Sequence, residues 1–383
     1  MRSSRFSLES ALLSTVLLIG LSYGATAQAV KPWLIGQIVP LTGPAATVGV
    51  RHDRVVKMWA DTINKAGGIK GRQVEIVSCN DENRPEKGAA CARDMIEKGV
   101  VLLLGNTLTA SIRAVQPLVK NGPILFVPSP NIMPAADTFV FQVSPSDVHL
   151  TESIAAYMRA NAAKVIGMVV ATDASGEVGV ASAREVFPKS NIEVRLARID
   201  LRATDATTQL ATVAGKDVPV VYSSYSGAGA ITVVKSFRNL GLEQPLIVSY
   251  ANISESFVDL VKDVRPRRLL GTSVASIVPD LLTDPVLRQR SVDFLDQYRA
   301  RYSERADMIN LGQKIQLDVV ESVLNNVADP SNAASVKTYL EATPIQSLQV
   351  IKFSPTNHVG LDTSSVAVIE LKDGIWTKAD PIN

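Results

Sequence analysis

Apolar and polar positions divide this chain into repeated strand-loop-helix units, and the first unit sets the pattern for the rest. Leu34-Ile35-Gly36-Gln37-Ile38-Val39 is a short apolar run, Pro40 to Ala46 a small-residue loop, and the stretch ending at Gly67-Gly68 a helical pattern. Val48, Val55, Trp59 and Ile63 recur at helical spacing, with Arg51, Arg54, Asp61 and Lys65 elsewhere on the wheel. This order opens an open α/β sheet, whose ligands sit where strands end and helices begin. Gly43 and the neighbouring alanines let main-chain amides approach a ligand, and the helix start offers unsatisfied N–H groups that favour an anion. A tight turn with no ligand accounts for the same residues equally well.

The unit then repeats. Gln73 to Ser78 alternates as a strand, and Pro85 suits the first turn of a helix reaching about Gly99. Val100 to Leu104 is a continuous apolar run of the kind buried on both faces of a parallel sheet. Beyond the loop Gly105 to Ser111 and a helix to Lys120, Ile124 to Val127 forms a fourth strand, ending in Pro128-Ser129-Pro130-Asn131. The handedness rule winds these into one parallel sheet. Around Phe141 to Ser146 the pattern restarts, with a helix from His149 to Asn161, a strand from Val165 to Ala171, and Asp173 to Glu177 opening a helix. Strands are expected over Ile192 to Ala197, Val218 to Tyr222 and Leu246 to Ser249, the last two closing on Ser223 to Gly227 and on Tyr250-Ala251-Asn252. Arg268 to Val278 is extended. Helices follow over Pro285 to Tyr302, Met308 to Val327 and near Ala334 to Leu340, then strands over Leu348 to Phe353 and Val366 to Leu371.

With 383 residues there is length for two domains, each with its own core. Charge is nearly balanced, 39 basic against 37 acidic residues, and aromatics make up 5%, so a nucleic-acid groove is not expected. Residues 1–29 read as a signal peptide. Arg2 and Arg5 precede an apolar run from Ala11 to Leu21, and Ala27-Gln28-Ala29 offers a small-x-small cleavage site, cut after Ala29. The run is short and interrupted for a membrane span, and no cysteine precedes Cys79 to carry a lipid, so the mature chain is expected to be soluble. An uncleaved anchor is the alternative. Cys79 ends a strand and Cys91 lies in the next helix, so in an oxidising compartment a disulfide is expected, the alternative being two unpaired thiols.

No catalytic constellation emerges. His52 lies on the apolar stripe of the first helix as a packed or rim residue, His149 reads as a surface or capping residue, and His358 as one bonded to backbone. Three isolated histidines make no metal site. There is no Gly-x-Ser-x-Gly elbow, no Walker loop and no Gly-x-Gly-x-x-Gly after the first strand. Ser224 and Ser226 beside Tyr225 have no base at a recognisable spacing, so an enzyme is not expected. The strand ends offer hydroxyls, an amide, small residues and one tyrosine, which bind without reacting.

Several of these stretches together resemble the branched-chain amino acid (Leu/Ile/Val) binding family of periplasmic solute-binding proteins, components of ABC importers. They are Ile35 to Gly43 with Ala66-Gly67-Gly68-Ile69-Lys70-Gly71-Arg72, Gly105-Asn106 to Thr109, Pro128-Ser129-Pro130, Val221 to Tyr225, and the tail Phe353 to His358. The Asn357-His358 pair is also similar to the tail of the amide- and urea-binding branch. The resemblance implies the type I periplasmic binding protein fold: α/β, two Rossmann-like lobes with parallel sheets joined by three crossover strands. Crossings near Gln142 to Ser146, Thr272 to Val278 and Gln349 to Phe353 would make lobe one 30–143 plus 276–350, and lobe two 144–275 plus 351–383. It implies closure over a small molecule by a hinge, no cofactor, a membrane permease as partner, and a monomer.

Carried over position by position, Thr109 stands where the family has a serine that holds the ligand carboxylate, with Thr107 in the same loop. Ser129, Pro130 and Asn131 would supply adjoining contacts, Tyr225 matches a cleft tyrosine of the second lobe, and Val48 matches an aromatic lining the side-chain pocket. A second tyrosine of the family is here Ser175, and the acid that pairs with a ligand ammonium falls at Tyr250 or Ala251. Burying an ammonium without that acid would cost several kcal/mol. The expected ligand is therefore a small amino acid, carboxylate or amide, with a standard α-amino acid disfavoured, and a ligand sensor reporting to a receptor is the alternative to an importer component.

Overall fold

The computed structural model describes residues 31–43, 45–106 and 108–382. The expected signal peptide, Pro44 and the candidate residue Thr107 lie outside the described residues. The first sheet contains β1 (Trp33–Val39), β2 (Val74–Asn80), β3 (Leu102–Leu104), β4 (Ile124–Val127) and β5 (Val140–Gln142), in the order 2-1-3-4-5. All its pairings are parallel. α1 (Ala46–Lys65), α2 (Pro85–Glu97) and α3 (Thr109–Val115) make the return connections. The second sheet is built from β6 (Val165–Ala171), β7 (Glu193–Ile199), β8 (Val221–Ser223), β9 (Leu246–Val248) and β10 (Leu269–Val274), again parallel. α4 (Asp147–Ala160) leads into it, and α5 (Ala174–Lys189), α6 (Thr207–Val213), α7 (Ala228–Asn239) and α8 (Glu255–Val261) connect its strands.

From β10 the chain returns to the first lobe as α9 (Pro285–Tyr302), α10 (Met308–Asn326) and α11 (Ala333–Ala342). A two-stranded ribbon of β11 (Ile345–Gln346) and β12 (Val350–Ile351) follows, and the chain ends in β13 (Val366–Lys372) and β14 (Ile375–Lys378), antiparallel on the edge of the second sheet. Two glycines set how the leading helix of each lobe meets its strand. A Cβ on Gly49 would lie 1.9 Å from the Pro40 carbonyl oxygen, and one on Gly176 1.9 Å from that of Ala171, so no other residue lets these helix starts sit against the strand ends.

Local differences from the pattern reading have local causes. The expected strand Leu348 to Phe353 shrinks to β12 because the chain reverses at Ser347, whose N–H donates to the Gln349 carbonyl at 2.9 Å. The helix expected to Lys120 stops at Val115 and continues as a 3-10 turn, Gln116–Val119, containing Pro117. Regular pairing over Val218 to Tyr222 is confined to Val221–Ser223, since Pro219 has no N–H to donate. His149 is a capping residue: with Ser146 it forms the capping box of α4. His358 accepts no solvent. It is fully buried, stacked on Phe141 with ring centroids 3.9 Å apart, and its ring nitrogens lie 3.0 Å from the Val140 carbonyl and 3.0 Å from Glu341.

Cys79 and Cys91 are bonded, with Cα atoms 5.8 Å apart, and so tie the end of β2 to α2. Replacing both by serine removes a covalent restraint on the unfolded chain and is expected to cost roughly 3 kcal/mol. A urea midpoint equal to that of the oxidised protein would show that the bridge contributes nothing.

Candidate functional site

In a parallel sheet every strand leaves by the same edge, so the loops after β3, β4, β6, β8 and β9 collect at two such edges. On the first, Asp81 is the organiser. It is fully buried just beyond β2, its N–H donates to Val39 at 3.3 Å, and its carboxylate accepts from the Ser111 hydroxyl and from the Asn106 amide at 3.4 Å. Asn106 in turn donates to the Ile38 carbonyl at 3.3 Å and accepts from the Leu108 N–H at 2.7 Å. This holds the loop into α3, where the Thr109 hydroxyl comes within 3.2 Å of that of buried Ser129. Pro130 and Asn131 continue the Ser129 loop, half-buried. Val48 is half-buried on α1 against the main core.

A buried polar relay runs beneath these loops. Gln316 donates to the Phe126 carbonyl at 2.7 Å and the Gly105 carbonyl at 3.3 Å, and accepts from Gln313 at 2.6 Å. Gln313 presents its oxygen to His52 Nδ1 at 2.7 Å. Because that oxygen can only accept, Nδ1 carries a proton. Burial, outweighing the Gln313 bond, lowers the His52 pKa to about 4.

On the second edge, Tyr225 is 5% exposed and lies over Gly229, where an added Cβ would be 2.1 Å from its ring. Its hydroxyl donates to the Asp200 carbonyl at 3.3 Å, and the Asn252 amide donates to the Tyr225 carbonyl at 2.9 Å. Burial first, then the negative charges of Asp173 and Asp200, raise the pKa of the Tyr225 hydroxyl. Ser175 already donates to Asp173 at 2.7 Å, the carboxylate that caps α5. Tyr250 is buried, and burial raises its pKa, while Ala251 is exposed.

The structure thus brings Thr109 to Ser129, and Tyr225 to the turn holding Tyr250 and Ala251. Among the described residues no hydrogen bond joins these two groups. The lobes meet beside them instead, where Met308 N–H donates to the Ile253 carbonyl at 3.2 Å, Glu255 N–H to Asp307 at 3.3 Å, and Arg305 pairs with Glu255 at 2.9 Å. Asp307 also pairs with Arg51 of α1 at 3.2 Å. Sequence reading missed Asp81, Asp173, Asp200, Asn252 and this seam. Asp81, Asp173 and Asp200 carried a local signal, each a carboxylate just beyond the end of a strand.

A family profile described as Periplasmic binding protein matches residues 32–374. The chain belongs to the periplasmic binding protein family. Leu/Ile/Val-binding protein homolog 3 of Brucella melitensis is 29% identical over 154 residues, 39% of this chain and 42% of that one. The Leucine-, isoleucine-, valine-, threonine-, and alanine-binding protein of Pseudomonas aeruginosa is 30% identical over 106 residues, 28% of each. The aligned part thus spans well under half the length of these curated relatives. Among solved structures, an extracellular ligand-binding receptor from Rhodopseudomonas palustris matches with a TM-score of 0.78 at 22% identity, covering 91% of this chain and 99% of that one. A solute binding protein from R. palustris in complex with benzoate matches at 0.70 and 20% identity, over 90% and 94% of the two chains. A leucine binding protein from Thermotoga maritima matches at 0.74 and 16% identity, over 90% and 96%. At these identities the likeness is one of fold: two α/β lobes of the type I periplasmic binding protein.

The relay in this family member is open to a pH test. A histidine whose folded pKa is lowered contributes stability that is whole above its unfolded pKa, 6.5, and is lost as pH falls toward about 4. His52→Gln keeps a donor to Gln313 and does not titrate. The variant is expected to escape up to about 3 kcal/mol of the wild type's acid destabilisation in that window. Thermal melts that fall equally in both proteins would show that His52 takes up its proton without cost.

Proposed function

We propose that this chain is a periplasmic solute-binding protein that captures a small molecule between its lobes and delivers it to the membrane permease of an ABC importer. On this reading residues 1–29 are a cleaved signal peptide, and the mature chain acts as a monomer without a cofactor and without catalysing a reaction. The observation that carries the reading is the Thr109–Ser129 hydroxyl pair at one sheet edge, with buried Tyr225 at the edge of the other lobe. Relatives named for leucine, isoleucine and valine binding, and a fold neighbour holding benzoate, support a small carboxylate-bearing ligand.

We assign Thr107, Thr109, Ser129, Pro130 and Asn131 to the polar end of that ligand, Val48 to its apolar part, and Ser175, Tyr225, Tyr250 and Ala251 to the opposing lobe. Neither Tyr250 nor Ala251 supplies an acid, but Asp173 and Asp200 place negative potential at Tyr225. Amino acids therefore stay within the ligand class beside simple carboxylates and amides. We draw the lobe boundaries at 143/144 and 275/276. We draw the third after Gly360 instead of at 350/351, a reading supported by the bonds that the His358 carbonyl and the Gly360 N–H make to Gln142 of the first sheet.

Thermal unfolding against leucine, isoleucine, valine, benzoate, short aliphatic acids, simple amides and urea tests the reading. A ligand at about 100 times its dissociation constant adds roughly 2.7 kcal/mol and raises the melting temperature. A shift with benzoate or an aliphatic acid would assign a carboxylate without an ammonium partner, and a shift confined to amino acids would assign the ammonium to Asp173 and Asp200. No shift with any of them would overturn the function. Thr109→Val, which keeps shape and loses the hydroxyl, is expected to weaken binding of the ligand so found by about 1 kcal/mol or more. Unchanged affinity would remove Thr109 from the site.

A further inference from the structure

Gln142 ends β5 at the point where the chain leaves the first sheet, and each of its polar groups is used. Its main-chain N–H donates to the His358 carbonyl at 2.8 Å and its carbonyl accepts from Gly360 at 2.8 Å, which stitches the first passage between the lobes to the third. Its side chain is fully buried and divided between two segments. The amide oxygen accepts from the Met133 N–H at 2.9 Å, and the amide nitrogen donates to the carbonyls of Ser144 at 3.2 Å and Pro145 at 3.3 Å.

Those two segments are the ones a closing protein must coordinate. Met133 belongs to the loop that follows β4 and carries Ser129, Pro130 and Asn131. It is in the left-handed region, with φ 48°, and its side chain is 53% exposed, so apolar packing does not hold it there. Ser144 and Pro145 lie in the linker between β5 and α4, the first passage between the lobes. A primary amide is one rigid plane with its acceptor and donors fixed relative to each other. Turning it to follow the linker carbonyls pulls the acceptor from Met133, and a buried amide group left unpaired is costly.

We propose that Gln142 is a positioning residue that couples the Ser129–Asn131 loop to the hinge at 143–146, so that ordering the loop and rotating the lobes are one event. This deepens the binding function proposed above and rests on the reading that the lobes close over a ligand. Two variants of the mature chain separate its halves. Gln142→Glu is isosteric, keeps an acceptor for Met133 and sets a carboxylate against the two linker carbonyls, while Gln142→Met removes both contacts. Amide hydrogen exchange without ligand is read over 129–134 and 143–147, and calorimetry measures affinity for leucine and benzoate. Coupling predicts that Gln142→Glu speeds exchange in both segments by about tenfold, although its Met133 contact is retained, and weakens binding of the ligand that the wild type takes by about tenfold. Exchange raised in 143–147 alone, in neither segment, or accompanied by wild-type affinity would overturn it. A wild type that binds neither leucine nor benzoate, with both segments still loosened together, would count against those ligands and leave the coupling standing. Should Gln142→Met fail to fold, the isosteric variant decides alone.

Discussion

Parallel pairing is the constraint on which the rest of this structure depends. A parallel strand cannot be reached by a hairpin, so β1 to β5 and β6 to β10 are each joined through a helical or looped return over the sheet. Every strand of these parallel runs therefore ends at the same edge of its sheet, and the loops there are free of the ladder. Thr109, Ser129, Tyr225 and Tyr250 all lie in the residues that follow such ends. Gly49 and Gly176 complete the arrangement by letting the first turn of α1 and α5 rest on the strand they follow.

Loops so placed would be mobile without polar anchoring, and each lobe supplies it by burying groups that hydrogen-bond to the backbone and to one another. Asp81 holds the β3–α3 loop, the His52–Gln313–Gln316 relay reaches the carbonyls at the ends of β3 and β4, and Asn252 holds the backbone of Tyr225. A buried polar group is tolerable only when paired, so these contacts specify one loop geometry. They also set the acid response. Burial, only partly offset by Arg51 and backbone N–H groups, raises the Asp307 pKa to about 6 from 3.8. Its contribution is whole below the unfolded pKa and lost as pH rises through about 6, opposite in sign to that of His52 over much the same window.

Legibility followed the range of the interaction. The strands Ile124–Val127 and Val165–Ala171 and the helix Pro285–Tyr302 appear as read, because unbroken apolar runs and a proline at a helix start act through near neighbours. The helix Thr207–Val213 left no trace in the apolar pattern, its first turn being the polar Thr207-Thr208-Gln209. His358, read as a loop histidine bonded to backbone, does bond Val140, yet it also stacks on Phe141 and meets Glu341. The backbone bond was foreseeable from residue type and the ring stack was not, since Phe141 lies in another segment of the chain.

By itself the sequence determined the class of fold, the strand-loop-helix rhythm of both lobes, and the family the chain belongs to, because periodicity and turn chemistry are written locally. Only the tertiary structure decided which distant residues pair: Asp81 with Ser111, Gln316 with Phe126, Glu255 with Arg305, and Gln142 with His358 and Gly360. The reason is geometric. A side-chain hydrogen bond depends on a few tenths of an ångström and on direction, and those are set by how helices and sheets pack after they form.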